Sequence, residues 1–150
     1  MTHLKAGDPA PFFKAPNESG QTVSLTDFKG KKVVLYFYPK DDTSGCTAQS
    51  CNLRDNYSVF KKKGYEIVGV SNDDEKSHTK FIKKFSLPFT LLADTDKKIV
   101  NDYGVYGPKK FMGRDYEGII RTTFIIDEAG LIEKIITDVD TKEHTDQILS

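Results

Sequence analysis

The feature that most constrains the fold of this chain is a run of six apolar residues, Val33 to Tyr38, which ends at Pro39. The run is too short for a buried helix, and its β-branched and aromatic residues favour a strand covered on both faces. The residues after Pro39 are turn formers, and they open a segment with helical spacing. A buried strand that continues through a loop into a helix is typical of α/β sheets, where functional sites collect at the carboxyl ends of parallel strands.

The rest of the chain alternates predicted strands and helices. Strands are predicted near residues 12–13 and 22–23 and over 66–71, 88–92, 122–127 and 131–137, the last two as a hairpin. Helices are predicted over 46–63, 74–85, 96–103 and 141–150, with Thr141 as the N-cap of the last. The sequence therefore predicts an α/β fold with a mixed central β-sheet flanked by helices. Because 150 residues without repeats or long linkers suit one core, we expect a single domain over 1–150.

The charge balance argues against a nucleic-acid or membrane surface. The 22 basic and 22 acidic side chains cancel, and the lysine clusters at 61–63 and 83–84 are typical of solvated helix faces. No apolar stretch approaches the roughly 20 residues of a membrane helix, and the N-terminus lacks the apolar core of a signal peptide. We therefore expect a cytoplasmic protein. In a reducing compartment, two cysteines indicate redox or metal chemistry rather than a structural disulfide.

Both cysteines lie in the predicted helix that follows the Val33–Tyr38 strand. Cys46 falls in the first turn, where free backbone N–H groups and the helix dipole favour the reactive thiolate over the thiol. Thr43 places a hydroxyl near this sulfur, although a threonine before a helix is also an ordinary turn former or N-cap. Pro39 either terminates the strand or also shields the sulfur from water. Asp41 and Asp42 are interpreted as turn-forming, solvated acids.

The segment Pro39-Lys40-Asp41-Asp42-Thr43-Ser44-Gly45-Cys46 resembles the active-site loop of the peroxiredoxins, Pro-x-x-x-Thr-x-x-Cys. The flanking residues 36–40 and 45–47, and the spacing from Cys46 to Cys51, resemble more narrowly the bacterioferritin-comigratory (Q-type) subfamily. Residues 118–127 resemble its arginine-bearing strand, which contains Arg121. Segments 5–11, 25–28 and 103–107 also fit, so the resemblance covers nearly the whole chain. Ser44 departs from the subfamily, in which many members carry proline.

The resemblance implies a thioredoxin-like fold and an atypical two-cysteine peroxidase that reduces hydrogen peroxide and organic hydroperoxides. Cys46 is then the peroxidatic cysteine and Cys51 the resolving cysteine, with Thr43, Arg121 and Pro39 supporting the site. The resemblance also implies no bound cofactor, a thioredoxin-type electron donor and a monomer. Taken alone, Arg121 could equally be a surface residue at the start of an edge strand, and Cys51 a small buried hydrophobe in a helix.

Helix geometry adds a condition to the implied cysteine pair. Residues five apart in an α-helix have Cα atoms about 8–9 Å apart, whereas a disulfide requires about 4.4–6.8 Å. Cys46 and Cys51 can therefore bond only after the first turns of their helix unwind.

Competing functions fit the sequence less well. A thiol–disulfide oxidoreductase usually carries Cys-x-x-Cys, and a non-enzymatic redox sensor would need a partner surface that the sequence does not reveal. The three histidines are expected to contribute little: His3 lies in the N-terminal tail, His78 on an exposed helix face and His144 in the last helix. Because none has ligand spacing from the cysteines, no metal site is predicted.

Overall fold

The computed structural model describes residues 2–150, apart from the side chain of Phe111, and places a five-stranded mixed sheet at its centre. The strands are β1 (Lys14–Pro16), β2 (Thr22–Ser24), β3 (Lys32–Phe37), β4 (Tyr65–Ser71), β5 (Thr90–Ala93), β6 (Tyr106–Phe111), β7 (Arg114–Ile119), β8 (Thr122–Ile126) and β9 (Ile132–Ile136). The helices are α1 (Ser44–Asp55), α2 (Tyr57–Lys62), α3 (Glu75–Phe85), α4 (Lys98–Asp102) and α5 (His144–Leu149), with a short 3₁₀ turn at Leu25–Phe28. The central order is β5-β4-β3-β8-β9.

Strand β3 lies in the middle of this sheet, as the apolar run predicts. It pairs in parallel with β4 and antiparallel with β8, while β4 pairs in parallel with β5. Its side chains alternate between two buried clusters, one containing Val33, Leu35 and Phe37 and the other containing Val34 and Tyr36. Burial on both faces explains why six consecutive apolar residues are needed here. The mixed α/β sheet flanked by helices is confirmed.

Two of the predicted helices differ from the structure. The helix expected over 46–63 is two helices, α1 and α2, which meet at Asn56, whose side chain donates to the carbonyl of Asn52. The predicted N-cap Thr141 is wrong. The last helix begins at His144, because the side chain of Asp140 accepts from the amides of Lys142 and Glu143 and holds 140–143 in a turn.

The hairpin β6–β7 has no counterpart among the predicted strands. Its two strands pair from Tyr106 with Ile119 to Phe111 with Arg114, around a two-residue turn of Met112 and Gly113. Both turn residues have positive φ, 52° and 77°, as type I′ hairpins require. Strand β7 is mostly exposed, so its hydrophobic pattern gives no signal of a half-buried strand.

Within the described residues, no helix is both long and apolar enough to cross a bilayer.

Candidate active site

Cys46 is the third residue of α1, directly beyond the loop that leaves the carboxyl end of β3. Its side chain is 1% exposed and packs in the core cluster that contains Tyr36. The first turn of α1 carries no acidic residue, so its free amide groups offer the sulfur a positive environment without a competing anion. The predicted position at a helix N-terminus is confirmed by this geometry.

Arg121 reaches the sulfur from the position directly before β8, the strand that pairs with β3. The antiparallel register sets Thr122 opposite Phe37, so Arg121 lies level with the point where the chain leaves β3. Its Nη2 lies 3.3 Å from the Cys46 Sγ, and its Nη1 donates to the Gln49 Oε1 at 2.6 Å. The sequence prediction that Arg121 lies beside Cys46 agrees with this arrangement, in which the guanidinium fork joins the sulfur to the next turn of α1.

Gln49 is a site residue that the sequence analysis did not identify. It is completely buried, and its amide nitrogen has no hydrogen-bond partner among the described residues. Its position three residues after Cys46 places both side chains on one face of α1. That spacing is the signal that could have identified it.

Gly45 is needed because the Arg121 side chain approaches its backbone closely, rather than for a tight turn. A Cβ on Gly45 would lie 3.2 Å from the Arg121 Nη2 and 4.0 Å from the Thr141 methyl group. A side chain at this position would therefore compete with the arginine for space beside the sulfur. The left-handed residue of the loop is Asp42, with φ of 58°.

Thr43 and Pro39 bound the loop but do not contact the sulfur through a described hydrogen bond. The Thr43 hydroxyl donates to the Lys40 carbonyl at 2.9 Å, and its own carbonyl accepts from the Thr47 amide as the first helical bond. Thr43 is the N-cap residue of α1, although its side chain makes no capping bond. Pro39 is half-buried just after β3. Both residues therefore lie in the loop before Cys46, and their catalytic roles remain predictions.

Cys51 is half-buried on the same helix, and both cysteines are free thiols. Since α1 is regular from Ser44 to Asp55, helix geometry separates the two Cα atoms by about 8–9 Å. Tyr36 packs beneath this stretch and shares a 2.9 Å hydrogen bond with the Ser50 hydroxyl. Burial of the ring raises the pKa of Tyr36, with a smaller contribution from the two cysteines. Tyr36 therefore stays a neutral phenol beside the sulfurs.

Asp41 and His78 are buried, so their predicted solvated positions are wrong. Asp41 Oδ2 lies 2.7 Å from His78 Nδ1, and His78 Nε2 lies 2.8 Å from the Leu92 carbonyl oxygen. Burial alone would lower the pKa of His78, but the hydrogen bond and the charge of Asp41 outweigh it and raise the pKa above its ordinary value. Among the described residues, Asp41, Asp73 and His78 form a group of three possible metal ligands. Carboxylate oxygens of both aspartates already accept hydrogen bonds from neighbouring protein groups.

His144 is the second buried histidine, near the other end of the site. Its Nδ1 pairs with the Gln147 Oε1 and its Nε2 with the Thr123 hydroxyl, each at 2.8 Å. Because an amide oxygen only accepts, Nδ1 carries the proton and Nε2 accepts from threonine. Burial, together with the positive charge of Arg121, lowers the pKa of His144. The imidazole is therefore neutral near pH 7.

An open groove of about 590 Å³ borders Arg121. It is lined by Pro108, Lys109, Lys110, Ile120, Arg121, Thr137, Asp138 and Val139. The amine of Lys109 in β6 donates to the carbonyl of Ile119, the last residue of β7, at 2.7 Å, which links the two strands of the hairpin two residues before Arg121. Burial and the nearby guanidinium lower the pKa of Lys109. The groove therefore combines apolar walls with positive charge.

Together, these features define a thiol-based redox enzyme with a thioredoxin-like sheet. A buried cysteine lies at a helix N-terminus, an arginine fork contacts its sulfur, and a second free cysteine follows on the same helix.

Comparison with known proteins agrees with this class. Residues 6–135 match the AhpC/TSA family. Peroxiredoxin Bcp of Escherichia coli (strain K12) is 47% identical over 150 residues, which cover 100% of this chain and 96% of that protein. Peroxiredoxin Q of Xanthomonas campestris superimposes with a TM-score of 0.88 at 31% identity, covering 99% of this chain and 94% of that one.

A further similar structure is that of the bacterioferritin comigratory protein of Xanthomonas campestris, a protein with alkyl peroxide reduction activity. It has a TM-score of 0.90 at 30% identity and covers 99% of this chain and 95% of its own. The present chain belongs to the AhpC/TSA family and is a peroxiredoxin of the bacterioferritin-comigratory (Q) type. It is thus a peroxidase and an oxidoreductase, as the sequence motifs predict.

Proposed function

We propose that this peroxidase reduces hydrogen peroxide and organic hydroperoxides with Cys46 as the peroxidatic cysteine and Cys51 as the resolving cysteine. The observation that carries the proposal is the buried Cys46 sulfur with the Arg121 Nη2 at 3.3 Å. A cation at this distance stabilises the thiolate, and it is close enough to stabilise negative charge on the departing oxygen.

In the first step, the Cys46 thiolate attacks one oxygen of the hydroperoxide. The O–O bond breaks, the sulfur is oxidised to a sulfenic acid, and the departing oxygen takes a proton and leaves as water or an alcohol. Arg121 neutralises the charge that develops on the two oxygens. Gln49 fixes the orientation of the guanidinium through its 2.6 Å bond to Nη1. The Thr43 hydroxyl and Pro39 form the mouth of the site, where they orient the peroxide and exclude water.

In the second step, the Cys51 sulfur attacks the Cys46 sulfenic acid, and a disulfide and one water molecule form. The distance across the intact helix forbids this bond, so α1 unwinds around Cys46 before it forms. A disulfide made at the expense of a helix is exposed and readily reduced. A thioredoxin-type dithiol then returns both cysteines to thiols and is itself oxidised to a disulfide.

The groove beside Arg121 supports organic hydroperoxides as substrates as well as hydrogen peroxide. Pro108, Ile120 and Val139 give it apolar walls of a size that accepts an alkyl chain, and Arg121 lies at its edge. The described alkyl peroxide reduction of the Xanthomonas campestris relative is consistent with this choice.

We further propose that residues 1–150 act as one domain, as a monomer, in the cytoplasm. A single five-stranded sheet with two continuous core clusters supports the single domain. The complete set of proposed catalytic residues lies on one chain, so a second copy is not needed. The requirement that both cysteines return to thiols after each cycle favours a reducing compartment.

The test is a thiol count and intact mass after one equivalent of hydrogen peroxide, on the wild type and on Cys51→Ser. We expect the wild type to lose both thiols and two hydrogens in mass, and the variant to form a sulfenic acid that can be trapped at Cys46. Two unreacted thiols after minutes would refute the peroxidatic role and favour thiol exchange. A sulfenic acid that persists in the wild type would refute the resolving role.

A further inference from the structure

Asp41 is the only buried side chain between Tyr38 and Cys46, in a loop that is otherwise exposed or half-buried. Its carboxylate is held by three side-chain donors. The Tyr38 hydroxyl donates to Oδ1 at 2.5 Å, and the Ser77 hydroxyl and His78 Nδ1 lie 2.7 Å from Oδ2. Its backbone amide donates to the Asp73 carboxylate at 2.8 Å. Neither the peroxide chemistry nor the thiol chemistry uses these groups directly.

The protonation state of the histidine follows from its two neighbours. A carbonyl oxygen only accepts, so His78 Nε2 must carry a proton to bond with Leu92. Nδ1 faces a carboxylate oxygen at hydrogen-bond distance, which requires a second shared proton. Asp41 and His78 therefore form a buried, charge-assisted pair that joins the loop to α3 and, through Leu92, to β5.

The loop connects Asp41 directly to α1, the helix that carries Cys46. Asp42 is exposed and left-handed, and the Thr43 hydroxyl closes the turn onto the Lys40 carbonyl. The Thr43 carbonyl accepts the first helical hydrogen bond from Thr47, so the position of residues 40–43 sets where α1 begins. Cys46 lies in that first turn. A shift of Asp41 therefore moves the Cys46 sulfur relative to Arg121, which is fixed on the other side by β8.

We propose that the buried Asp41–His78 pair is a positioning element that holds Thr43 and the first turn of α1 in register with Arg121, and so sets the reactivity of Cys46. The role of this pair in peroxide reduction rests on the proposed function of Cys46. Its role in thiol reactivity does not, because alkylation of a thiolate needs the same helix terminus and the same arginine.

The experiment measures two rates on Asp41→Asn and His78→Gln, in a Cys51→Ser background that leaves one thiol. The first is the rate of alkylation by iodoacetamide across pH, and the second is the rate of hydrogen peroxide consumption. Asparagine offers one acceptor oxygen where aspartate offers two, and glutamine places its amide near the Nε2 position, out of reach of Asp41. Asp42→Asn is the matched control, because it removes the same charge at the next residue. The Asp42 carboxylate forms a solvent-exposed salt bridge with Lys84.

We expect Asp41→Asn and His78→Gln to slow both reactions at least about tenfold, since displacements of about 1 Å in an active site carry penalties of this order or larger. The midpoint of the alkylation profile should move to higher pH, and the double variant should be no slower than the slower single variant. Asp42→Asn should leave both rates and the midpoint unchanged. If the wild type alkylates readily but does not consume peroxide, the proposed function fails while the alkylation comparison still decides the positioning role.

The proposal is overturned if the folded Asp41→Asn and His78→Gln proteins melt at lower temperature yet alkylate at the wild-type rate with an unchanged midpoint. It is also overturned if Asp42→Asn slows the reaction equally, or if the effects of the two single substitutions add.

If either buried variant fails to fold, the Ser77→Ala variant decides the question. It removes one donor to Asp41 without leaving a charge unpaired, and it should slow alkylation in the same direction by a smaller factor. Wild-type kinetics in a folded Ser77→Ala protein would then contradict the positioning role.

Discussion

Replacing Arg121 by methionine tests the electrostatic core of the site. Methionine has a similar length and apolar stem, so the substitution removes the guanidinium while it retains much of the packing. Two contacts disappear: the 3.3 Å approach of Nη2 to the Cys46 sulfur and the 2.6 Å bond of Nη1 to Gln49. We expect slower peroxide reduction without loss of the fold.

The magnitude follows from the distance. Two unit charges 3.3 Å apart interact by about 1.3 kcal/mol in bulk water and about 5 kcal/mol at an effective dielectric constant of about 20. Arg121 is half-exposed, which favours the lower part of this range. The arginine also stabilises the resting thiolate, so only the additional stabilisation of the transition state counts. A difference of about 1.4 to 2.8 kcal/mol corresponds to a tenfold to hundredfold slower rate constant.

The assay is stopped-flow consumption of hydrogen peroxide under single-turnover conditions, which isolates the first step. Arg114→Met is the matched control, because Arg114 lies exposed on β7 and should leave the rate constant unchanged. Arg121→Lys keeps the charge but cannot contact the sulfur and Gln49 together, and it should fall between the two. A wild-type rate constant in a folded Arg121→Met protein would refute the electrostatic role.

Three further outcomes are expected. Oxidation of the wild type should raise amide hydrogen exchange from residue 44 to residue 51, because the disulfide requires an unwound α1; equal protection in both redox states would contradict this. Gly45→Ala should slow peroxide reduction several-fold, because its methyl group meets the Arg121 Nη2 at 3.2 Å; full activity would mean that the arginine adapts without cost. His144→Asn should flatten the loss of stability that accompanies a fall in pH below about 6.5, measured by urea unfolding.

The expected effect of His144→Asn on stability follows from the lowered pKa of His144 in the folded protein. Burial lowers the folded-state pKa of His144, so below its ordinary value the unfolded chain binds a proton that the folded chain does not. The free energy of unfolding therefore decreases as pH falls from about 6.5 toward the folded-state pKa. An asparagine cannot titrate, and the contribution disappears. An unchanged slope in the His144→Asn protein would assign the acid sensitivity to other groups.

The sequence by itself determined the central strand and the location of Cys46 in the first turn of a helix, because both depend on local patterns. Six apolar residues in a row require burial on two faces, and turn residues followed by helical spacing place Cys46 at a helix N-terminus. The spacing of Cys46 and Cys51 along one helix also determined that the proposed bond between them would require the helix to unwind. None of these inferences requires knowledge of which residues meet across the fold.

Only the tertiary structure decided which distant side chains surround that sulfur. The register of β8 against β3 brings Arg121 to Cys46 across 75 residues, and α3 brings His78 to Asp41 across 37. His78 and Asp41 each look solvated when only their own segments are considered, yet they form a buried pair. The free-energy cost of burying each group is offset by the other, which the local sequence does not contain. The β6–β7 hairpin likewise depends on cross-strand pairing around a positive-φ turn, for which its mostly polar sequence gives no periodic signal.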